Sequence, residues 1–159
     1  MGTDVKVEFE AKRNGKWEPV HNQYAIERNY LFFAWLANQR NEYDVQPIAK
    51  HRGLPRDYRY EDGPGEHSQS WLSADEILNA PDQEITMKGC LAEAEYKKWN
   101  GVGKPSADVI YGPELSGRPG YVQVSWTVKI REEFSDFLKT VEALRNEYGE
   151  VRMVFGFDS

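Results

Sequence analysis

The side chains best suited to chemistry are concentrated in one stretch of the chain, from His51 to Trp71. This stretch holds three arginines and two of the three histidines, namely Arg52, Arg56, Arg59, His51 and His67. Arginine guanidinium groups bind phosphate oxygens through paired hydrogen bonds. The aromatic rings of Tyr58, Tyr60 and Trp71 could stack on a base or on the guanidinium planes. This combination is typical of a site for a nucleotide or another small anion.

The same stretch also has a purely structural interpretation. Arg52 and Arg56 could pair with nearby carboxylates and attach a long loop to the core; the candidate partners are Asp57, Glu61, Asp62 and Glu66. Gly53 and Pro55 exclude a regular helix here. Long loops that are rich in polar chemistry often carry function. The residue types therefore leave both interpretations open.

The histidines and the serines near them suggest two further interpretations, metal binding and catalysis. His21, His51 and His67 are not spaced like zinc ligands on regular elements. Histidines bonded to backbone or solvent explain the pattern better, so we assign no metal and no cofactor. Ser68 or Ser70 beside His67 could form a hydrolase pair, but neither lies in a Gly-x-Ser-x-Gly elbow. Because neighbours in sequence seldom reach the required geometry, we assign no catalytic residue.

Six residues form the predicted ligand-binding set. Arg40 belongs to it because the polar last turn of a predicted helix, Tyr30–Arg40, lies just upstream of His51 and could point into the same site. The other members come from the stretch itself, where serine can donate a hydrogen bond and tryptophan can stack on a ligand. The complete set is Arg40, Arg52, Arg56, His67, Ser70 and Trp71.

Hydrophobic periodicity predicts the elements that must position these side chains. Alternation predicts strands over Val5–Phe9, Tyr121–Arg131 and Val151–Phe157. Asn14-Gly15 predicts a hairpin turn, and Pro19 places the strand after it at a sheet edge. Residues His67 to Trp71 are predicted to be extended, and a strand is predicted over Glu84–Leu91. Helices are predicted over Ala74–Asn79, with a Ser73–Glu76 capping box, and over Glu132–Tyr148. Between them we expect a helical turn over Glu93–Trp99 and a loop over Gly101–Gly120.

The overall pattern predicts a single α+β domain over residues 1–159. The helix that begins at Tyr30 is apolar nearly all round and has Asn29 as a cap, so we expect it to be the central core helix. The sheet should be open and largely antiparallel, with helices packed on one face. The last strand, helix and strand could form a right-handed parallel unit.

Composition disfavours several classes of function. The chain has 26 acidic and 20 basic residues and a formal net charge of -6, which disfavours nucleic-acid binding because phosphates must be neutralised. Its single cysteine, Cys90, cannot form an intramolecular disulfide and fits a reducing cytosol. The charged N-terminus does not resemble a signal peptide, and no apolar run is long enough to span a bilayer. We therefore expect a soluble protein without a membrane partner.

Four segments together resemble a family of small, mostly uncharacterised proteins carried by bacteriophages and prophages. In the order of that family they are Glu27–Arg40, Val45–Asp57, His67–Leu72 and Val151–Asp158. The Arg-Gly-Leu-Pro and His-Ser-x-Ser-Trp pieces are the most specific. The chain departs from the family at His51, where proline is common. The resemblance implies a phage origin and the host cytoplasm as the location, and it brings no established activity with it.

This implied origin leads to the first hypothesis on function. Short phage proteins outside the virion often act on host processes, and some sequester or degrade the nucleotide signals of bacterial immunity. We therefore expect an accessory protein that binds a phosphorylated, nucleotide-type small molecule without turnover, and that can assemble as a homo-oligomer. The alternatives are a protein–protein inhibitor of a host enzyme, which would use the Gly101–Gly120 loop and exposed aromatic residues, and a nucleotide hydrolase that uses His67.

Overall fold

A computed structural model describes residues 2–21, 25–59, 61–111 and 117–159. Within them it confirms the α+β class, and all strand pairings are antiparallel. The elements are β1 (Asp4–Arg13), β2 (Lys16–Pro19), α1 (Tyr30–Ala37), β3 (His67–Ser73), α2 (Ala74–Asn79), β4 (Glu84–Ala92), α3 (Glu93–Lys98), β5 (Tyr121–Lys129), α4 (Ile130–Glu133), α5 (Ser135–Tyr148) and β6 (Val151–Asp158). The chain divides into two units, Met1–Pro81 with Phe134–Ser159, and Asp82–Glu133. None of the described helices has the length and apolar character needed to cross a membrane.

The first unit is built on a four-stranded antiparallel sheet in the order β2-β1-β6-β3. β1 and β2 form the predicted hairpin. Asn14 and Gly15 at its turn both have positive φ, 51° and 77°, the conformation that a two-residue turn between twisted strands needs. β2 is four residues long and ends at Pro19 on the edge of the sheet, as the proline predicted. This order places the C-terminal strand, β6, between β1 and β3.

Helix α1 provides much of the core of the first unit, as its apolar sequence predicted. The Asn29 side chain caps the helix by accepting a hydrogen bond from the Phe32 N–H at 3.1 Å. Every residue from Leu31 to Ala37 is buried, and a fully buried large apolar side chain stabilises the fold by about 1.5–3 kcal/mol. The Phe33 ring packs edge-on against Phe157 of β6, with centroids 5.4 Å apart. This contact joins the helix to the central strand.

Strand β6 is buried on both of its faces. The residues predicted to face inward, Val151, Met153, Phe155 and Phe157, are buried. The residues that alternate with them, Arg152, Val154 and Gly156, are buried as well. An antiparallel strand with one solvated face would show polar, exposed residues at those alternate positions. The second face of the sheet must therefore also be covered by protein.

Residues 51–66, here termed the cover loop, supply contacts to β6. A Cβ at Gly156 would overlap the backbone of this loop, so the two segments meet without intervening side chains. The Glu66 N–H donates to the Phe157 carbonyl oxygen at 2.9 Å. The Gln69 side chain of β3 donates to three carbonyl oxygens of the loop, those of Asp62, Pro64 and Gly65. These hydrogen bonds satisfy backbone groups that burial would otherwise leave unpaired.

Arg152 of β6 provides a charged attachment for the same loop. The residue is 3% exposed; its Nε donates to Glu10 of β1 at 2.8 Å, and its Nη1 donates to Asp57 of the cover loop at 2.7 Å. The guanidinium carbon also lies 4.1 Å from the centroid of the Trp17 ring. The hydrogen bond from Arg152 holds the pKa of Asp57 below its usual range. One buried cation thus connects two strands and the loop.

The second unit is built on a two-stranded ribbon of β4 and β5. Its small core consists of buried Leu91, Val124 and Trp126, with Met87, Trp99, Ala107, Val109 and Val128 packed against them. The alternation predicted after Tyr121 is confirmed in β5. Ile110 forms an isolated bridge with Cys90. The rest of the predicted Gly101–Gly120 loop contains no helix or strand where it is described, and residues 112–116 lie outside the described part.

Three predictions about pairing and boundaries are wrong. β5 and β6 belong to different sheets, so the last strand, helix and strand do not form a parallel unit. Helix α1 ends at Ala37 because Asn38 takes the left-handed conformation, φ 58°, which asparagine tolerates better than most residues. The helix predicted over Glu132–Tyr148 is divided into α4 and α5 at Phe134. The ring of that residue stacks on Trp35 at 5.8 Å, so a tertiary contact coincides with the break.

Removal of Arg152 should destabilise the protein strongly. Arg152→Ala leaves the buried Glu10 carboxylate without its cation, and breaking one half of a buried ion pair costs about 3–5 kcal/mol. The double variant Arg152→Met with Glu10→Met removes both buried charges and should recover most of that loss. Urea unfolding measures the free energies. An equal loss of unfolding free energy in the single and the double variant would show that Arg152 does not act by neutralising Glu10.

Candidate functional site

Two predicted site residues, Arg52 and Trp71, lie together with Glu76 in a group here termed the Arg52 cluster. Arg52 binds the Glu76 carboxylate through two hydrogen bonds, of which Nη1 to Oε1 measures 2.7 Å. Its guanidinium carbon lies 4.5 Å from the Trp71 ring centroid, and Nη1 also donates to the Trp71 carbonyl oxygen at 3.2 Å. The Arg52 N–H donates to the Ser70 hydroxyl oxygen at 3.1 Å. The guanidinium is therefore already engaged within the protein.

Glu76 is shared between the Arg52 cluster and the start of α2. Its Oε1 accepts a hydrogen bond from the Ser73 N–H at 3.0 Å, and the Ser73 hydroxyl oxygen accepts one from the Glu76 N–H at 3.1 Å. This confirms the predicted capping box. The hydrogen bond from Arg52 holds the pKa of Glu76 at about 2 and raises the pKa of Arg52. These contacts favour the structural interpretation of Arg52.

A second group lies at the end of the sheet where β1 begins and β6 ends. The His67 ring bonds to two hydroxyl groups, with Nε2 2.8 Å from Ser159 Oγ and Nδ1 2.9 Å from Ser68 Oγ. Ser159 Oγ lies 3.0 Å from Thr3 Oγ1, which accepts a hydrogen bond from Arg40 Nε at 3.0 Å. We call these five residues the hydroxyl cluster. It brings together two predicted site residues, Arg40 and His67, that the sequence separates widely.

Irregular backbone positions two members of the hydroxyl cluster. Ser68 has φ +54°, a left-handed conformation that is uncommon for a residue with a side chain. The register between β3 and β6 shifts between His67 and Ser70, as it does at a β-bulge. Arg40 also has positive φ, 52°, in the segment after α1. Bulges and left-handed residues redirect side chains and are concentrated at functional sites.

The hydroxyl cluster is rich in hydrogen-bond donors and carries a cation. Its internal side-chain hydrogen bonds join hydroxyl, imidazole and guanidinium groups. Arg40 is exposed, and its two terminal nitrogens have no hydrogen-bond partner among the described residues. The carboxylates of Asp4 and Asp158, which adjoin Thr3 and Ser159 in the sequence, are both balanced by cations. Arg28 donates two hydrogen bonds to Asp4, which lowers the pKa of Asp4, and Lys6 Nζ lies 4.0 Å from Asp158 Oδ2. The cluster is therefore suited to an anion.

The remaining candidates lie apart from both clusters or outside the described chain. Arg56 and Arg59 are exposed in the cover loop and form no ion pair with any described residue. His21 and His51 are exposed as well, and Tyr60 is outside the described residues. Among the residues that are described, no group of three His, Cys, Asp or Glu side chains could hold a metal ion.

Sequence reasoning missed Thr3 and Ser159 as members of a site. They are 156 positions apart, and only the antiparallel pairing of β1 with β6 brings their hydroxyl groups together. Tyr30 was also missed; its hydroxyl oxygen accepts the Thr3 N–H at 3.2 Å, and its ring centroid lies 5.6 Å from the Arg40 guanidinium carbon. The sequence signal was weak. Thr3 lies just before the strand predicted over Val5–Phe9, and Ser159 lies just after the strand predicted over Val151–Phe157. The two strands were predicted separately.

Known proteins offer no guide to the role of these clusters. The chain matches no family model, no curated protein and no solved structure. The geometry of the described residues is therefore the basis for assigning a function.

The Arg52–Glu76 pair should make the stability of the protein depend on pH in the acidic range. The pKa of Glu76 falls from 4.5 to about 2 on folding, so the stabilisation is complete above about pH 4.5 and is lost as the pH falls towards 2. Because the Glu76 side chain is 33% exposed, solvent screening limits the contribution to roughly 1 kcal/mol.

The test compares the wild type with Arg52→Ala in urea unfolding at neutral and acidic pH. The difference in unfolding free energy between the two proteins should be present at pH 7 and should shrink below pH 4.5 as Glu76 becomes protonated. Arg59→Ala removes the same charge from an exposed position and is the matched control. A difference that does not change with pH would show that Arg52 does not act through Glu76.

Proposed function

We propose that this protein binds a phosphorylated small molecule of the nucleotide type, without turnover, and that the hydroxyl cluster receives the phosphate. The observation that supports this most strongly is the convergence of Arg40 and His67 with three hydroxyl groups at one end of the sheet. Ionised phosphate oxygens accept hydrogen bonds and interact most strongly with charged donors. The terminal nitrogens of Arg40 and the three hydroxyl groups are donors of the required kind.

The Arg52 cluster is less suited to receive an anion. A phosphate bound by the Arg52 guanidinium would have to replace the Glu76 carboxylate, which also completes the capping box of α2. In our proposal, Arg52, Ser70 and Trp71 instead hold the cover loop against β3. Because His67 lies in the same strand, this attachment helps to keep its ring in place.

The biological setting of the proposal comes from the resemblance to phage and prophage proteins. In that setting the ligand would be a nucleotide signal of the bacterial host, and the protein would sequester it in the host cytoplasm. Sequestration requires tight binding and no chemistry. A donor-rich cluster with an available guanidinium is consistent with both requirements.

Arg40→Ala should weaken ligand binding while the protein remains folded. A hydrogen bond to a charged group contributes about 1.5–3 kcal/mol, so we expect a loss of about 10- to 100-fold in affinity. Native mass spectrometry of protein purified from a bacterial host would detect a retained ligand. Calorimetric titration with inorganic phosphate and with linear and cyclic adenosine and guanosine nucleotides would measure the affinity of each variant.

Arg59→Ala is the control because it removes an exposed arginine of the cover loop without touching the hydroxyl cluster. It should bind like the wild type, and thermal unfolding should show that both variants remain folded. The proposal fails if the wild type retains no small molecule and binds none of the probes. It also fails if Arg59→Ala loses as much affinity as Arg40→Ala.

Hydrolysis of the nucleotide is a second candidate function, and one contact favours it. Nδ1 of His67 lies 2.9 Å from Ser68 Oγ, a distance at which imidazole can accept the proton of an attacking hydroxyl. Ser68 Oγ would form a bond to phosphorus as the bond to the leaving oxygen breaks. His67 would transfer the accepted proton to that oxygen, and water would then release the phosphate from Ser68.

Prolonged incubation with the same nucleotides separates binding from hydrolysis. Our proposal predicts that chromatography recovers only unaltered nucleotide from the wild type. Product formation by the wild type that disappears in Ser68→Ala, while that variant still binds the nucleotide, would establish the hydrolase instead.

A further inference from the structure

The Tyr30 side chain contacts two members of the hydroxyl cluster without belonging to it. Tyr30 is the first residue of α1. Its hydroxyl oxygen accepts the Thr3 N–H at 3.2 Å, and its ring centroid lies 5.6 Å from the Arg40 guanidinium carbon. Thr3 Oγ1 in turn accepts a hydrogen bond from Arg40 Nε at 3.0 Å. The three residues therefore form a closed triangle of contacts.

Buried aromatic rings hold Tyr30 in place. Its ring centroid is 5.8 Å from that of Phe33, which is fully buried. Phe33 packs edge-on against Phe157, whose ring centroid lies 6.3 Å from that of His67. Arg40 and His67 are thus joined in two ways, by the hydroxyl groups of the cluster and by this row of rings. Side chains fixed by packing of this kind keep a binding site in one geometry.

The contacts of Arg40 restrict the way in which its guanidinium can bind an anion. A guanidinium offers two edges for paired hydrogen bonds to one phosphate, the edge that includes Nε and the edge formed by the two terminal nitrogens. Nε is occupied by Thr3 Oγ1, and the guanidinium lies over the Tyr30 ring. The terminal edge remains, since Nη1 and Nη2 have no hydrogen-bond partner among the described residues.

We propose that Tyr30 is a positioning residue, which holds Arg40 so that its two terminal nitrogens bind two oxygens of one phosphate group. This inference rests on the proposed function and adds to it the mode of binding. An exposed arginine that moves freely loses rotamer entropy when it binds a ligand. Because Tyr30 and Thr3 hold the guanidinium before the ligand arrives, part of this entropy is already lost on folding, and the affinity is higher.

Variants of Tyr30 separate its hydroxyl group from its ring. Calorimetric titration with inorganic phosphate and with linear and cyclic adenosine and guanosine nucleotides measures the affinity. Tyr30→Phe loses the hydrogen bond to Thr3 and should bind about 2- to 5-fold more weakly. Tyr30→Leu also loses the ring under Arg40 and should bind roughly 10-fold more weakly. Tyr148→Leu is the matched control, because it removes a half-buried ring that lies 4.9 Å from the Arg13 guanidinium carbon, outside the hydroxyl cluster.

A double-mutant cycle distinguishes positioning from a general effect on the fold. In protein that already carries Arg40→Ala, Tyr30→Leu should lower the affinity by less than about 2-fold, because the guanidinium that it positions is gone. A general effect would instead cost the same factor in both backgrounds. Arg40→Lys keeps the charge but has no paired terminal nitrogens, so it should lose nearly as much affinity as Arg40→Ala. This last comparison applies even if Tyr30→Leu does not fold.

Nuclear magnetic resonance reports on Arg40 in the absence of any ligand. The Arg40 Nε–H resonance, identified by its absence in Arg40→Ala, should shift in Tyr30→Leu and should stay in place in Tyr148→Leu. Circular dichroism and thermal unfolding should show that these variants are folded.

The outcomes separate this inference from the function on which it rests. If the wild type binds none of the probes, both fail. If the wild type binds a probe, the positioning role alone fails in any of three cases: Tyr30→Leu binds as tightly as the wild type, its loss adds fully to that of Arg40→Ala, or the Arg40 resonance does not move. Wild-type affinity in Arg40→Lys would overturn the binding of phosphate by the terminal edge.

Discussion

The first unit depends on how it accommodates a charged residue in its central strand. β6 lies between β1 and β3 and is covered on both faces, so Arg152 is 3% exposed. A buried guanidinium is tolerated only where carboxylates neutralise it. Glu10 of the neighbouring strand and Asp57 of the cover loop meet this need, and the Trp17 ring packs on the guanidinium plane. The position of a loop distant in sequence is thereby tied to the sheet.

This constraint changes the meaning of the dense stretch between His51 and Trp71. Its glycines allow the backbone to lie directly on Gly156, and its polar groups bond to β3, to β6 and to the start of α2. Charged and aromatic residues are needed there whether or not a ligand binds, because they attach a long loop to a polar sheet face. The same attachment holds β3 and places His67 at the end of the sheet. Structural support and a binding site are therefore adjacent in this protein.

The two units differ in how their strands are paired. In the first unit the sheet edges are short or irregular, and the hydroxyl groups of Thr3 and Ser159 meet in the hydroxyl cluster. In the second unit, as far as it is described, β4 and β5 pair with each other, and Ile110 forms a bridge with Cys90 of β4. The proposed ligand binding rests on the donor groups around Arg40.

The sequence by itself determined the local elements, because the period of the apolar residues and the capping and turn residues act over short distances. The Asn14-Gly15 hairpin, the buried α1 helix and the Ser73–Glu76 capping box were all predictable in this way. Strand order was not, since the polar and glycine positions of β6 are compatible with an exposed face until the cover loop is in place. The hydroxyl cluster was equally out of reach, because Thr3 and Ser159 meet only through the pairing of β1 with β6. Tertiary structure alone decided which arginines bind carboxylates within the protein, as Arg152 and Arg52 do, and which can still bind a ligand, as we propose for Arg40.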